Sequence, residues 1–264
     1  MTGTTKKKKT PARRRTTSRP QGRLAGKVAL VTGAAGNIGV TIVRRFLDEG
    51  AAVVMVGRNA SKLEATRRQL LKATGAPAAR AFVLPFDASD PGQARFGIEA
   101  AIRHYGQLDI LVNNAGIDVV KSVADTSLAD WDRLFRVNST GMFLGTQCFL
   151  DDLHAAGQAG GVRSSIINMS SICGNVGVAF QSAYSATKGA VRMFTKAAAV
   201  EFGALGLQLR INSIHPGTVD TAFAAQCLTE LGEAGFAPSP AEARAAIRAA
   251  HPIGDMAQGD EIAD

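Results

Sequence analysis

Cysteine is scarce in this chain, and long apolar runs are missing from it. The 264 residues include three cysteines, at the widely spaced positions Cys148, Cys173 and Cys227. This spacing fits neither a disulfide framework nor a zinc-binding pattern, and it favours a reducing compartment. No apolar run approaches the roughly 18 residues of a membrane span, and no apolar segment opens the chain as a secretory signal would. We therefore predict a cytoplasmic protein without a membrane span.

Acidic residues are absent from the first 23 positions. This segment holds nine of the 30 basic residues, so the other 241 residues carry 21 basic and 22 acidic side chains. Rich in Thr, Lys, Arg and Pro, residues 1–23 cannot bury enough apolar surface to offset their ordering entropy, and we predict a disordered basic tail. Such a tail can bind nucleic acid or anionic lipid, or act as an import signal. A solvated extension is the simpler interpretation, and we expect no nucleic-acid partner.

The remaining residues, 24–264, have enough apolar material for one folded domain. Short apolar segments alternate with helical patterns from one end of this region to the other. The predicted strands are 27–32, 52–56, 81–84, 108–112, 165–169 and 209–214, and the predicted helices lie near 38–49, 61–74, 91–105, 128–153 and 182–203. This alternation predicts a doubly wound α/β fold with a parallel sheet, whose ligand lies at the carboxyl ends of the strands.

A glycine-rich turn follows the first predicted strand and opens directly into a helix. It reads Thr-Gly-Ala-Ala-Gly-Asn-Ile-Gly over residues 32–39. Small residues let the backbone approach a pyrophosphate, and the helix N-terminus supplies amide donors. The turn therefore predicts dinucleotide binding, with a packing role for the glycines as the alternative.

A second group of polar residues lies beyond the middle of the chain. Ser171 follows a predicted strand, while Tyr184 and Lys188 are four residues apart and share one helix face. A tyrosine of pKa about 10 becomes a useful base only where a nearby cation favours the phenolate. Taken singly, the pair could lie on the surface, Ser171 could be a strand-end hydroxyl, and Asn138 could cap a helix.

Together these motifs resemble the short-chain dehydrogenase/reductase family, from about Leu24 to the last residue. Gly33 and Gly39 match the first and last glycines of the family's Thr-Gly-x-x-x-Gly-x-Gly turn. Asn37 stands where the middle glycine is usual. Asn is the non-glycine residue that best tolerates positive φ, so we expect the turn to form.

The resemblance implies cofactor contacts in several further segments. Asp87 and Ala88 resemble the segment beside the adenine, Asn114 the turn beside the adenosine ribose, and Val219 with Thr221 the segment that holds the nicotinamide carboxamide and a phosphate. The cofactor-binding set that the resemblance implies is Gly33, Asn37, Ile38, Gly39, Arg58, Asp87, Ala88, Asn114, Tyr184, Lys188, Val219 and Thr221.

The resemblance also implies catalytic roles, which the thirteen-residue step from Ser171 to Tyr184 supports. Tyr184 exchanges a proton with the substrate, Lys188 favours its phenolate, and Ser171 hydrogen-bonds the substrate oxygen. Asn138 holds a water that links Lys188 to solvent. The expected reaction is hydride transfer between a nicotinamide cofactor and a secondary alcohol or ketone, without a metal, since the histidines show no metal-binding spacing. The alternative is a non-catalytic dinucleotide-sensing or scaffold protein on the same fold, which would need broken catalytic positions.

The end of the second predicted strand bears on cofactor choice. NAD-using relatives place an acid there for the ribose hydroxyls, whereas this chain has Gly57 followed by Arg58. A guanidinium is well shaped to bind a 2′-phosphate. We therefore predict NADP(H), with NAD(H) possible if Arg58 merely faces solvent.

The C-terminal part suggests a substrate lid over residues 219–250, whose apolar content favours a small hydrophobic or lipid-like alcohol or carbonyl substrate. Family members continue beyond the counterpart of Asp264 with a helix, a strand and a tail that often lines a subunit interface. The resemblance thus implies an apparently truncated C-terminus and an uncovered edge at strand 209–214. We expect a homo-oligomer if the C-terminus is complete.

Overall fold

The computed structural model describes residues 22–159 and 164–264. The predicted disordered tail lies, up to residue 21, outside the described residues. Arg23, which the sequence assigned to that tail, contacts the folded domain. Its Nε lies 3.0 Å from Oε1 of Glu49, and its backbone N–H donates to Oε2 of the same carboxylate at 2.8 Å. The folded domain therefore includes Arg23.

Six parallel strands form one sheet. They are β1 (Val28–Thr32), β2 (Ala52–Gly57), β3 (Ala81–Pro85), β4 (Ile110–Asn113), β5 (Ser164–Met169) and β6 (Leu209–Ile214). Their order is β3-β2-β1-β4-β5-β6, and every neighbouring pair is parallel. This is the predicted doubly wound α/β fold, in which a cleft opens where the order reverses between β1 and β4. As expected, β6 lies at an edge.

Helices cover both faces of the sheet. They are α1 (Asn37–Asp48), α2 (Ala60–Thr74), α3 (Pro91–Tyr105), α4 (Leu128–Phe135), α5 (Gly141–Ala159), α6 (Ser182–Ala204), α7 (Ala222–Glu233), α8 (Pro240–Ala250) and α9 (Gly259–Ala263). In the described part of the chain, no helix combines the length and the apolar composition that a membrane crossing requires.

Alternate residues of each strand supply two separate hydrophobic layers, because successive side chains point to opposite faces. Leu30 of β1 packs in the layer that includes Phe149 and Phe202, under α3, α5 and α6. Its neighbour Val31 packs in the layer that includes Val43 and α2 residues. With both faces buried, β1 and β2 are continuous apolar runs, the pattern by which the sequence revealed them.

The single helix predicted over residues 128–153 is divided. A π-helical turn, Arg136–Thr140, separates α4 from α5. Such turns are rare and occur frequently at functional sites. Here the turn carries the predicted site residue Asn138 into the interior, where it is 2% exposed.

Candidate active site

A cavity of about 1140 Å³ lies at the carboxyl ends of the strands. Ten of the predicted site residues line it: Gly33, Asn37, Ile38, Arg58, Asn114, Ser171, Tyr184, Lys188, Val219 and Thr221. Four others, Gly39, Asp87, Ala88 and Asn138, are not part of its wall. The fold therefore brings both the glycine turn and the Ser–Tyr–Lys group to one space, although they are about 140 residues apart.

The glycine turn is shaped by close backbone approaches. Gly33 has φ 65°, in the left-handed region that favours glycine. A Cβ on Gly39 would lie 2.2 Å from the Gly33 carbonyl oxygen, so this position requires glycine. Asn37 is different: it is the first residue of α1, and Phe180 is the only described non-glycine residue with positive φ. The tolerance of positive φ that we invoked for Asn37 is not needed.

The turn and the first residues of α1 fit a dinucleotide phosphate. The N-cap of α1 is Gly36, which has no side chain to satisfy the first backbone N–H groups of the helix. Those groups and the positive end of the helix dipole face a turn that glycines keep open. Asn114 holds the turn in place, since its Nδ2 donates to the Thr32 carbonyl at 3.0 Å.

Two cations lie at the cavity wall beyond β2. Arg58 is exposed and has no ion-pair partner among the described residues. Lys62, in the first turn of α2, also lines the cavity. Sequence reasoning missed Lys62. Its position three residues after the N-cap Asn59 places it at the N-terminal end of α2, close to Arg58 in the sequence. Together the two side chains can hold an additional phosphate.

Asp87 is close to this region but is engaged with its own loop. Its Oδ1 accepts hydrogen bonds from the backbone N–H and the Oγ of Ser89, at 2.9 and 2.7 Å. Burial opposes ionisation, yet these bonds, with Arg58 nearby, keep the pKa of Asp87 below its usual value. Its predicted contact with the adenine stays a prediction.

Tyr184 and Lys188 lie in the first two turns of α6. The Lys188 Nζ is 5.6 Å from the centre of the Tyr184 ring and donates to the Met169 carbonyl at 2.8 Å. Only 4% of Lys188 is exposed, and burial lowers its pKa to about 8. The lysine is therefore held beside the tyrosine by the end of β5.

Burial dominates the pKa of Tyr184. Burial raises it above the ordinary value of 10, and the negative charge of Asp118 raises it further, while a hydrogen bond with Ser171 lowers it. Removal of water disfavours the charged form, and the stabilisation of the phenolate by Lys188 stays a prediction. At neutral pH this residue is a phenol.

Ser171 and Asn138 complete the group from two other elements. The Ser171 Oγ accepts a hydrogen bond from the Cys173 backbone at 3.2 Å, which fixes its side chain at the start of a short 3₁₀ turn. Asn138 donates to the Ile117 carbonyl at 2.9 Å. A Cβ on Gly116 would lie 3.4 Å from the Asn138 Oδ1 and 3.5 Å from the Lys188 Nζ, so both atoms border the same gap. The bridging water stays a prediction.

Sequence reasoning missed the acidic residue of the cavity. Asp118 follows the β4 turn and contacts Gln181 and Cys227 through Oδ2. The sequence feature that could have revealed it is a single acidic residue within the otherwise apolar run Ile117–Val120. Burial also raises the pKa of the nearby Cys173 thiol.

Comparison with known proteins gives one consistent result. A family model described as short chain dehydrogenase matches residues 27–231. A 3-alpha-(or 20-beta)-hydroxysteroid dehydrogenase of Mycobacterium bovis is 42% identical over 200 residues, covering 76% of this chain and 72% of that protein. An NADP-dependent (R)-specific alcohol dehydrogenase of Lentilactobacillus kefiri is 40% identical, covering 75% of each. A cyclopentanol dehydrogenase of Comamonas is 37% identical, covering 78% of each.

Proposed function

The chain belongs to the short-chain dehydrogenase/reductase family and is an NAD(P)-dependent oxidoreductase acting on CH–OH groups; from that premise we propose that it interconverts a ketone and a secondary alcohol with NADP(H). The observation that carries the proposal is the assembly of Ser171, Tyr184 and Lys188 in the cavity that also contains the glycine turn. Within this group, Tyr184 is the proton donor and acceptor.

The side chains divide the proton chemistry among themselves. The nicotinamide cofactor, when bound, supplies the hydride chemistry. Tyr184 donates its phenolic proton to the substrate oxygen during reduction, and the Ser171 hydroxyl hydrogen-bonds the same oxygen as charge develops on it. Lys188 provides positive charge beside the phenol. Because burial keeps Tyr184 protonated, the site favours ketone reduction at neutral pH and alcohol oxidation at higher pH.

The substrate side of the cavity is apolar. Its wall includes Val176, Phe223, Leu228, Leu231 and Ile247, most of them from α7 and α8. These helices lie in the predicted lid. We infer a small hydrophobic or lipid-like substrate, since apolar side chains bind such groups by excluding water. The names of the steroid and cyclopentanol dehydrogenases support an alcohol on a compact apolar body.

Replacement of Tyr184 by Phe tests the reaction. This change removes the phenol oxygen and keeps the ring, so we expect kcat to fall at least ~10²-fold, the lower end of acid–base contributions. NADPH affinity should change little. Tyr105→Phe is the matched control, because Tyr105 is the only other tyrosine and bonds the Ala79 carbonyl outside the cavity. Activity of Tyr184→Phe within a few-fold of the parent would exclude this role.

The NADP(H) preference has a test of its own. Arg58→Ala should weaken NADPH binding by roughly 1.5–3 kcal/mol, the range for a hydrogen bond to a charged group, and leave NADH binding nearly unchanged. Arg68→Ala is the control, since Arg68 is an exposed arginine of α2 away from the cavity. Equal weakening of both cofactors, or a parent that prefers NADH, would contradict the assignment.

We also propose a cytoplasmic homo-oligomer. All three cysteines are free thiols, as a reducing compartment requires. Large apolar side chains are exposed on α4, α5 and α6, including Leu128, Phe143, Met193 and Val200, and such surface supports self-association. Light scattering of the purified full chain tests this, and a monomer at micromolar concentration would contradict it.

A further inference from the structure

The Asp118 carboxylate is a polar group of the cavity wall that the proton chemistry above does not use. Its Oδ1 accepts a hydrogen bond from the Val119 backbone N–H at 2.7 Å. Its Oδ2 accepts from the Gln181 side-chain amide and from the Cys227 thiol, the latter at 3.5 Å. All three partners act as donors. Burial raises the pKa of Asp118, and these three hydrogen bonds oppose that rise because they favour the ionised form, which only accepts.

Three separate segments converge to make this arrangement. Asp118 follows β4, Gln181 precedes α6, and Cys227 lies on the lid helix α7. The residue before Gln181 is Phe180, whose φ of 61° is unusual for a bulky side chain. The Phe180 carbonyl accepts a hydrogen bond from the Lys121 backbone at 2.8 Å, which holds this conformation. Strained backbone that the surroundings enforce is typical of binding sites.

The carboxylate forms no direct ion pair in the described part of the chain. Lys188 is near enough for the two charges to act on each other, but its Nζ donates to the Met169 carbonyl. The Glu230 carboxylate, of the same charge, is close enough to act on it. A partly buried carboxylate that no cation contacts directly carries a desolvation cost. A ligand that brings a cation would offset this cost.

Space for such a ligand exists on both sides of the carboxylate. Asp118 lines the active-site cavity together with Tyr184, and it also lines an adjoining cavity of about 660 Å³. The charged residues of that second wall are Asp118, Lys121, Asp125, Asp130, Arg133, Glu230 and Glu233. Lys121 and Arg133 both pair with Asp130, so the balance facing Asp118 is negative. A carboxylate has about four acceptor directions, and three are in use.

We propose that Asp118 is a specificity-determining residue that accepts a hydrogen bond from a second donor group of the substrate, close to the reacting carbinol. An ammonium group is preferred over a hydroxyl, because hydrogen bonds between charged partners are about twice as strong as neutral ones. This inference rests on the proposed function and narrows its substrate class to amino alcohols and amino ketones, whose apolar part packs against the lid.

Three secondary alcohols that differ in one group test this preference: 1-amino-2-propanol, 1,2-propanediol and 2-butanol. We expect kcat/KM with NADP⁺ at pH 7.5 to fall in that order in the parent, with at least a tenfold advantage of the amine over 2-butanol. In Asp118→Asn, which keeps the size and removes the charge, this ratio should fall at least tenfold. Asp132→Asn is the matched control, since Asp132 is an exposed acid of α4 that lines neither cavity, and it should keep the parent ratio.

The outcomes separate the two proposals. If Asp118 had only a structural role, Asp118→Asn would lower activity on all three alcohols alike and leave their ratio unchanged. That result would overturn the proposed specificity role. The proposed function would still be supported if turnover depended on Tyr184. Binding of two probes without a carbinol hydrogen, tert-butylamine and tert-butanol, to the NADP⁺ complex gives a readout without turnover, from shifts in melting temperature. A parent that binds both equally overturns the proposal. A preference for the amine that Asp118→Asn alone abolishes supports it, even if no alcohol is oxidised.

Discussion

The cofactor side and the substrate side of the cavity are built by different means. The cofactor side is made of backbone: Gly33 and Gly39 keep side chains out of the turn, and α1 presents uncapped N–H groups. The substrate side is made of side chains, in which Asp118, Gln181 and Cys227 meet from three segments. We therefore expect cofactor binding to be lost when an atom is added to the turn, and substrate recognition to be lost when a particular side-chain group is removed.

The largest effect should come from adding an atom on the cofactor side. In Gly39→Ala the new Cβ would lie 2.2 Å from the Gly33 carbonyl oxygen, so the turn must shift. We expect NADPH affinity to fall at least ~10²-fold, equivalent to about 2.7 kcal/mol, in a fluorescence titration.

Gly203→Ala provides the control for this change. A Cβ at Gly203, on α6, meets nothing within 4 Å, and Ala in a helix is favoured over Gly by roughly 0.5–1 kcal/mol. That variant should bind NADPH like the parent and unfold at a slightly higher temperature. If Gly39→Ala bound NADPH with the parent's affinity, close backbone approach in the turn would not be required for cofactor binding.

The next effect concerns the buried lysine on the catalytic side. Burial lowers the pKa of Lys188 from 10.5 to about 8. Below pH 8 the lysine is protonated in both states and adds no pH dependence. From pH 8 to 10 the unfolded chain binds the extra proton, so Lys188 makes the free energy of unfolding rise with pH. The Cys173 and Cys227 thiols, whose pKa values burial raises, act in the opposite direction over the same range. We expect the rise to be on the order of 1–3 kcal/mol.

Urea unfolding at pH 7, 8, 9 and 10 measures this rise against two variants. It should be absent in Lys188→Met and retained in Lys196→Met, an exposed lysine of the same helix. Above pH 10 the sign reverses, because burial raises the pKa of Tyr184, and of Tyr105 to about 12, so the unfolded chain loses those protons first. A difference in unfolding free energy between the parent and Lys188→Met that stays constant from pH 8 to 10 contradicts a depressed lysine pKa.

The difference between the backbone-built cofactor side and the side-chain-built substrate side also explains which features could be predicted from the sequence. The strands and the glycine turn follow from local patterns, because buried parallel strands are apolar and close backbone approach needs glycine. The Tyr184–Lys188 pair was also local, being one helical turn apart. Asp118 and Gln181 were not found, since 63 residues separate them and neither belongs to a motif. The direction in which the pKa of Tyr184 shifts depends on burial, which the spacing of residues along the sequence does not reveal.

The smallest effect should come from restoring the usual glycine of the turn. Asn37 begins α1 without positive φ, and its side chain is exposed. Asn37→Gly therefore relieves no strain and adds flexibility to the unfolded chain, so we expect a loss of stability of at most about 1 kcal/mol and NADPH affinity within about threefold of the parent. Urea unfolding and the fluorescence titration used for Gly39→Ala measure both quantities. If Asn37 were instead a strained substitute for glycine, the variant would be more stable and bind NADPH more tightly. A tenfold gain in affinity would therefore show that the first residue of α1 limits cofactor binding, as Gly33 and Gly39 do.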